Sequence, residues 1–297
     1  MPTTDSVPPT PTDTPTGPMT TIALPTNPGT TESPRAGTAR PTAKVRMSRV
    51  TKGEWIKFWS VRSTAATLLA AGFATVAFGM IFSAVADSET APGPAAALSN
   101  PVDLALGGVG LTEMIIGVLG VLVVASEYST GLIRTSFAAV GRRSRVIGAK
   151  VAVTGASVFA VAGVAATAAV VLGQAVYAGG QPTVALVDTL DVVLGTTVYL
   201  TGIAIIGIAL GFILRSTAAG IGTLVGGVFI GPNLLQLLPD SITDAFLQYL
   251  PNNAGAAMMS QVSDPDLLSR GAGYAVFGVW VIGLLAVAGV LVKRRDA

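Results

Sequence analysis

Six long apolar segments constrain the fold of this chain more than any other feature of its sequence. At about 1.5 Å of rise per helical residue, each segment is long enough to cross the roughly 30 Å hydrocarbon core of a bilayer. Helices are favoured there because they satisfy their own backbone hydrogen bonds, which lipid cannot do. The predicted transmembrane spans are residues 64–86, 106–126, 149–176, 191–214, 217–238 and 272–292.

The amino-acid composition agrees with a membrane protein. Of the 297 residues, 51% are apolar and only 11% are charged, whereas a soluble domain carries roughly 25% charged residues. Most of the 35 glycines lie inside the apolar segments, where they allow helices to approach closely in lipid. The predicted fold is an all-α integral membrane protein with six transmembrane helices.

The residue types that the sequence lacks exclude several kinds of chemistry. There is no cysteine and no histidine, so disulfides, zinc sites with these ligands and histidine general bases are excluded. The phosphate-binding pattern GxxxxGK[ST] is also absent. The chain is therefore not expected to be an enzyme, to hydrolyse ATP alone, to hold a metal or cofactor, or to bind nucleic acid.

The distribution of basic residues predicts the orientation in the membrane. All but one of the 18 lysines and arginines precede the first span, lie between the second and third or the fourth and fifth, or follow the sixth, if Lys150 at the very start of the third span is counted with the loop before it. Only Arg270 falls on the other side. Because basic loops stay in the cytoplasm, we expect a multi-pass protein of the plasma membrane with both termini cytoplasmic.

The chain before the first span divides into two parts. Residues 1–46 are rich in Pro and Thr and are predicted to be a disordered cytoplasmic tail; Met47 is also a candidate start of translation. In residues 47–63, Trp55, Phe58 and Trp59 recur at helical spacing, which predicts an amphipathic helix at the membrane surface. Residues 64–297 then form the six-span domain.

The loop between the second and third spans contains another short amphipathic pattern. Ile133, Phe137 and Val140 recur at helical spacing among basic residues, which predicts a cytoplasmic helix. Its arginines either contact a partner or only fix the topology. The sequence leaves both possibilities open.

Three segments resemble a known family. They are GEWIKFWSVRST (53–64), SEYSTGLIRTSFAAVGRRSRVIGAK (126–150) and QYLPNNAG (248–255). Together they resemble permease subunits of type 2 ATP-binding-cassette (ABC) exporters of actinobacteria, over roughly residues 48–297. These proteins often have proline before the paired arginines, where this chain has Gly141.

The resemblance implies a permease that forms a homodimer or heterodimer and works with a separate cassette ATPase, which uses ATP and Mg. Together they would move a hydrophobic or amphipathic compound outward. The loop helix would begin at Glu127 and act as a coupling helix, and the basic residues would pair with acidic groups of the ATPase or with lipid headgroups. The implied contact residues are Glu54, Trp55, Lys57, Glu127, Tyr128, Thr130, Gly131, Arg134, Arg142 and Arg143.

Glycines at four-residue spacing lie on the fourth and fifth spans and provide flat surfaces for helix packing. Those of the fifth span either line the export route near a dimer axis, as the resemblance suggests, or pack within one subunit. Pro232 is expected to kink or end the fifth helix. The glycines are Gly207 and Gly211 in the fourth span, and Gly222, Gly226, Gly227 and Gly231 in the fifth.

Glu113 is the only acidic residue within an apolar run, where an ionised carboxylate is costly unless it is paired or hydrated. If the second span begins near Val109, Glu113 lies one turn from the outer surface, which is the interpretation we favour. If the span begins near Leu104, Glu113 faces a cavity and is a candidate substrate contact.

Two other functional classes remain open: an energy-independent secondary transporter and a non-transporting regulatory subunit. A secondary transporter usually shows ionisable residues within the membrane and an internal repeat. Glu113 alone is weak support for that class, and the sequence shows no repeat.

The predicted orientation can be tested with single cysteines, because the natural chain has none. In intact cells a membrane-impermeant maleimide should label Ser263→Cys, between the fifth and sixth spans. Ser144→Cys, next to Arg142 and Arg143, should react only after the cells are permeabilised. Labelling of Ser144→Cys in intact cells would contradict the orientation.

Overall fold

The computed structural model describes residues 46–86, 101–177, 185–235, 237, 246–261 and 267–295. These residues are almost entirely helical and contain no strand. Six helical segments among them are long and apolar enough to cross a membrane. The predicted all-α, six-span membrane fold is therefore confirmed, while the predicted tail lies outside the described residues except for Arg46.

Eleven α-helices are described, and the fifth span combines two of them with a π-helix, Val225–Ile230. A short 3₁₀ turn, Leu247–Tyr249, precedes the tenth helix. The helices are α1 Met47–Ser60, α2 Arg62–Val85, α3 Pro101–Ala105, α4 Val109–Ser129, α5 Leu132–Val140, α6 Arg143–Val176, α7 Leu186–Leu214, α8 Thr217–Leu224, α9 Gly231–Leu235, α10 Pro251–Met259 and α11 Arg270–Arg294. The six spans are α2, α4, α6, α7, the α8–α9 segment and α11.

Helix α7 lies at the centre of the bundle and packs against α4, α6 and α11. Small residues permit its close contact with α4. A Cβ atom added to Gly207 would lie 2.3 Å from the carbonyl oxygen of Gly117, and one added to Gly120 would lie 2.2 Å from that of Ala204. At these positions only glycine lets the two backbones approach so closely.

The connection between the fourth and fifth spans is a tight turn. Such a turn is expected because only Arg215 and Ser216 separate the predicted spans 191–214 and 217–238. Arg215 adopts a left-handed conformation with φ of 55° and ends α7. Ser216 then caps α8, since its hydroxyl accepts a hydrogen bond from the backbone N–H of Ala219 at 3.4 Å. The two helices are therefore antiparallel neighbours.

The fifth span is not one regular α-helix. Proline has no N–H to donate, so a helix usually adjusts in the turn before it. Here the π-helix Val225–Ile230 ends two residues before Pro232, and α9 continues only to Leu235. Pro232 thus follows a disrupted turn, at the place where the sequence predicts a kink or an end.

The loop helix begins later than the resemblance implies. Helix α4 continues through Glu127 and Tyr128 to Ser129, and α5 begins at Leu132 after Gly131, which has φ of +74°. The expectation that the loop helix starts at Glu127 is therefore wrong, because the second span extends to Ser129. Gly141 ends α5 with φ of +70°, a conformation that proline cannot adopt, so a proline at this position would not permit the observed turn.

Candidate functional site

Four charged side chains from three helices form a network at one end of the bundle. Glu54 and Lys57 lie on α1, Glu127 lies in the last turn of α4, and Lys150 lies near the start of α6. The Nζ atom of Lys150 donates hydrogen bonds to Oε1 of Glu127 at 2.5 Å and to Oε2 of Glu54 at 2.9 Å. Lys57 also donates to Oε1 of Glu127. We call these four residues the charge network.

The charge network is mostly buried. The exposed side-chain fraction is 1% for Lys150, 4% for Glu127, 13% for Glu54 and 37% for Lys57. Each buried charge costs several kcal/mol of desolvation, which a well-placed opposite charge offsets. With two carboxylates and two ammonium groups the network is formally neutral. Removing one member therefore leaves a buried charge without its partner.

The local sequence of α1 explains how its charges reach the bundle. Val50, Glu54, Lys57 and Phe58 recur at the i, i+4, i+7 and i+8 positions of a helix, and Val50 and Phe58 are buried. Trp55 and Trp59, which belong to the predicted membrane-surface face, are exposed, and their location at a membrane surface stays a prediction. The buried face of α1 thus combines two apolar residues with two charges.

Helix α5 packs against the bundle through apolar residues that the sequence places at helical spacing. Ile133 and Phe137 are buried in an apolar cluster that includes Val146 of α6 and Phe212 of α7. Arg134 of α5 remains exposed. Helix α5 is therefore seated on the ends of the spans with a basic side chain on its outer face.

Besides Glu54, Lys57 and Glu127 of the charge network, two more of the residues implied as ATPase contacts make interactions within the chain. The ring of Tyr128 packs edge-on against Phe212 at 6.4 Å and lies 5.2 Å from the guanidinium carbon of Arg215. Arg143 Nη1 donates to the carbonyl oxygens of Val292 and Arg295, both at 2.8 Å, at the end of α11. Thr130, Gly131 and Arg142, in contrast, are exposed.

These contacts bring α1 and the end of α11 to the same end of the bundle. Arg143 joins the start of α6 to the end of α11, and Arg295 Nη1 donates to the carbonyl oxygen of Ile213 near the end of α7. Lys293 and Arg294 lie in the last turn of α11, where cations are favoured by the helix dipole. We call this the basic end of the bundle; its cytoplasmic location remains a prediction.

A cavity of about 370 Å³ adjoins the charge network. Its volume falls in the range of roughly 300–1,000 Å³ typical of small-molecule sites. It is lined from α1, α2, α4 and α6, with the charge network on its polar side and Leu119, Leu122, Val123 and Val153 among its apolar lining. The site thus combines charge and apolar surface within one recess.

Lys150 is the functional residue that sequence reasoning missed, since it was counted only among the residues that set topology. The available signal was its position inside the predicted third span, residues 149–176. A lysine within an apolar span usually has a specific partner, but the sequence alone did not indicate which residue that was.

Glu113 lies at the other end of α4, which begins at Val109 as favoured above. It is buried and lies beside the hydroxyl of Tyr199 on α7, and that hydroxyl donates its one proton to Oδ1 of Asn252 at 3.2 Å. A Cβ atom added to Gly255 would lie 2.1 Å from the Tyr199 ring. The segment 248–255 therefore packs against α7, and Glu113 does not line the cavity described above.

Asp103 lies on the short helix α3, which precedes α4 in the chain, and its side chain is partly buried. Burial raises the pKa of its carboxyl above the ordinary value, because desolvation disfavours the charged form. Among the described residues, no opposite charge counteracts this rise in the pKa of Asp103. The carboxylates of the charge network, in contrast, are paired with lysines.

The fifth-span glycines face open space among the described residues. A Cβ atom added to Gly222, Gly226 or Gly227 would meet nothing within 4 Å, whereas one added to Gly231 would lie 3.0 Å from the carbonyl oxygen of Gly226. The described part of the chain thus gives no support for packing of the first three within one subunit. By contrast, Gly207 and Gly211 of α7 are closely packed against α4.

Comparisons with protein-family models, with curated proteins and with solved structures found no match for this chain.

The charge network predicts a large and specific loss of stability when Lys150 is replaced. Lys150→Met keeps the length of the side chain but leaves Glu54 without its ionic partner, and it should lower the free energy of unfolding by about 3–5 kcal/mol. Lys52→Met, on an exposed position of α1, is the control and should change it by less than about 0.5 kcal/mol.

The second half of this test is the double variant Lys150→Met/Glu54→Gln. It should recover part of the loss, because the uncompensated carboxylate is also removed. Unfolding of the purified protein in mild detergent measures all three variants. If Lys150→Met is no more harmful than Lys52→Met, the charge network does not stabilise the fold.

Proposed function

We propose that this chain is the permease subunit of an ATP-driven exporter of the type 2 ABC class. With a separate cassette ATPase it moves a hydrophobic or amphipathic compound outward across the plasma membrane. The observation that carries the proposal is the docking of α1 onto the bundle. It is held by buried charges at the end of the molecule that the distribution of basic residues assigns to the cytoplasm.

The docking supports a mechanical role. Glu54 and Lys57 connect α1 to the last turn of α4 and the start of α6, and Ile133 and Phe137 seat α5 against the ends of α6 and α7. A displacement of α1 or α5 is therefore transmitted to the spans as a movement of packed bodies. An ATPase that closes on ATP needs such a surface to act on.

The residues implied by the resemblance divide into two roles under this proposal. Trp55, Arg134 and Arg142 are exposed and supply direct contacts with the ATPase or with lipid headgroups. Glu54, Lys57, Glu127, Tyr128 and Arg143 act from inside the chain by holding those surfaces in place. Thr130 and Gly131 form the exposed turn between α4 and α5.

The open glycine face supports assembly with a second permease copy. Within its apolar 18-residue stretch the fifth span is only 22% buried, compared with 72% for the fourth span. A Cβ atom added to Gly222, Gly226 or Gly227 would meet nothing within 4 Å. Small residues of this kind allow close contact between helices in lipid. We therefore propose that a homodimer or heterodimer forms through this face.

The rival classes predict different behaviour. A secondary transporter needs an ionisable site within the membrane, yet Glu113 is buried and interacts with Tyr199. A non-transporting regulatory subunit would keep the same helices and bind the same ATPase. It would differ in showing no stimulation of ATP hydrolysis by any cargo.

Purification in mild detergent tests the proposal directly. A tagged chain should recover a cassette ATPase in about equal amounts, whereas the double variant Arg134→Glu/Arg142→Glu should recover several-fold less, because it reverses charge on the proposed contact surface. Lys293→Glu/Arg294→Glu, exposed at the end of α11, makes the same change of charge as a control and should behave as the unaltered chain. Isolation of the unaltered chain without an ATPase would contradict the proposal.

A further inference from the structure

The cavity beside the charge network is polar at one end and apolar at the other. Along α4 its lining runs from Thr130 back to Leu119, which is about 16 Å at about 1.5 Å per residue. Thr130 follows the last turn of α4 at the basic end of the bundle, whereas Leu119, Leu122 and Val123 lie further inside the apolar span. The cavity therefore matches an amphipathic ligand that has its polar head at the basic end.

Hydroxyl groups of α2 provide hydrogen-bonding capacity in the polar part of the cavity. Ser63, Thr64 and Thr67 lie on one side of α2 and line the cavity. Within a span, a threonine hydroxyl can donate to the carbonyl oxygen one turn before it, as those of Thr75 and Thr167 do. The three cavity hydroxyls make no such bond within the described part of the chain, so they are available to a polar group of a ligand.

Lys57 supplies further donors at the same end. Its side chain is 37% exposed, which makes it the most accessible member of the charge network. An ammonium group has three N–H groups, and in the described structure that of Lys57 donates one hydrogen bond, to Glu127. A hydroxyl group on the ligand could accept from Lys57 and also donate to a threonine oxygen, because a hydroxyl does both.

The charge balance of the cavity determines the charge of the ligand. The charge network contains two carboxylates and two ammonium groups, and no other charged residue lines the cavity. An anionic or cationic head would therefore add an unpaired charge in a largely enclosed place, which carries a desolvation cost. An uncharged head forms the available hydrogen bonds without that cost.

We infer that this cavity binds an uncharged amphiphile whose head carries hydroxyl groups, with a long-chain monoacylglycerol as the model compound. The head lies at Lys57, Thr64 and Thr67, and the tail lies along Leu119 and Leu122 of α4. The inference deepens the proposed export function and rests on it for the claim that such a compound is the cargo. Binding itself depends only on the cavity.

Photolabelling of the purified chain in lipid nanodiscs tests the inference. The probe is monododecanoylglycerol with a diazirine in its tail, and digestion followed by mass spectrometry locates the label. Labelling of residues 119–123 should be saturable and should be displaced by unlabelled monododecanoylglycerol. Helix α11 is the internal control, because its Val279 is 72% exposed and lies outside the cavity lining; any labelling there should not be displaced.

Probes with the same tail and diazirine test the head group. The methyl ester has no hydroxyl, the alkyl sulfate is an anion and the alkyltrimethylammonium is a cation. Each should label residues 119–123 at least several-fold less than the glycerol ester at equal concentration in the membrane. Equal labelling by the methyl ester would reduce the site to an apolar groove, and equal labelling by either ion would contradict the charge argument; each result would overturn the inference.

Two matched substitutions identify the hydroxyls that bind the head. Thr67→Val keeps the shape of the side chain and should raise the half-saturating concentration of the glycerol ester roughly three- to tenfold, the effect of losing one neutral hydrogen bond. Thr167→Val is the control, because Thr167 is equally half-buried in a span but does not line the cavity. It should leave the half-saturating concentration unchanged, and equal behaviour of the two variants would overturn the inference.

The site and the proposed function can fail separately, because photolabelling needs no ATPase. Saturable labelling without recovery of a cassette ATPase would support the site and contradict the ABC exporter, and the converse result would overturn the site alone. If both hold, monododecanoylglycerol should stimulate ATP hydrolysis by the complex at a lower concentration than it does with Thr67→Val. Equal stimulation of the two complexes would contradict the claim that the ligand of this site is the cargo.

Discussion

Charges that are buried where helices meet must be paired, and this requirement governs the basic end of the bundle. Lys150 is almost fully enclosed and contacts both Glu54 and Glu127. An isolated charge in that position would cost several kcal/mol. No one of the three helices α1, α4 and α6 supplies all the charges that this pairing needs. The ion pairs between them therefore attach α1 to the bundle.

Glu127 is the point at which α1 and α6 both meet the end of α4. Its Oε1 accepts hydrogen bonds from Lys57 of α1 and from Lys150 of α6. In this account, a displacement of α1 acts on the ends of two spans through one carboxylate.

The sequence predicted those features that depend on neighbouring residues. Hydrophobicity and helix length identified all six spans, and the two-residue separation at Arg215 and Ser216 predicted the tight turn. The pairing of Lys150 with Glu54, which are 96 residues apart, depends on tertiary packing and was not predictable. The end of α4 was missed for a related reason: a charged residue such as Glu127 ends an apolar segment of the sequence, whereas in the fold Lys57 and Lys150 pair with it.

Docking of α1 by the charge network is the central claim, and a distance measurement between spin labels tests it most directly. Labels at Lys52→Cys on α1 and Ser129→Cys at the end of α4 should give one narrow distance distribution in the otherwise unaltered protein. With Lys150→Met the distribution should broaden and shift to longer distances, whereas Lys293→Met, an exposed site at the same end, should leave it unchanged. A narrow, unshifted distribution in Lys150→Met would contradict the account.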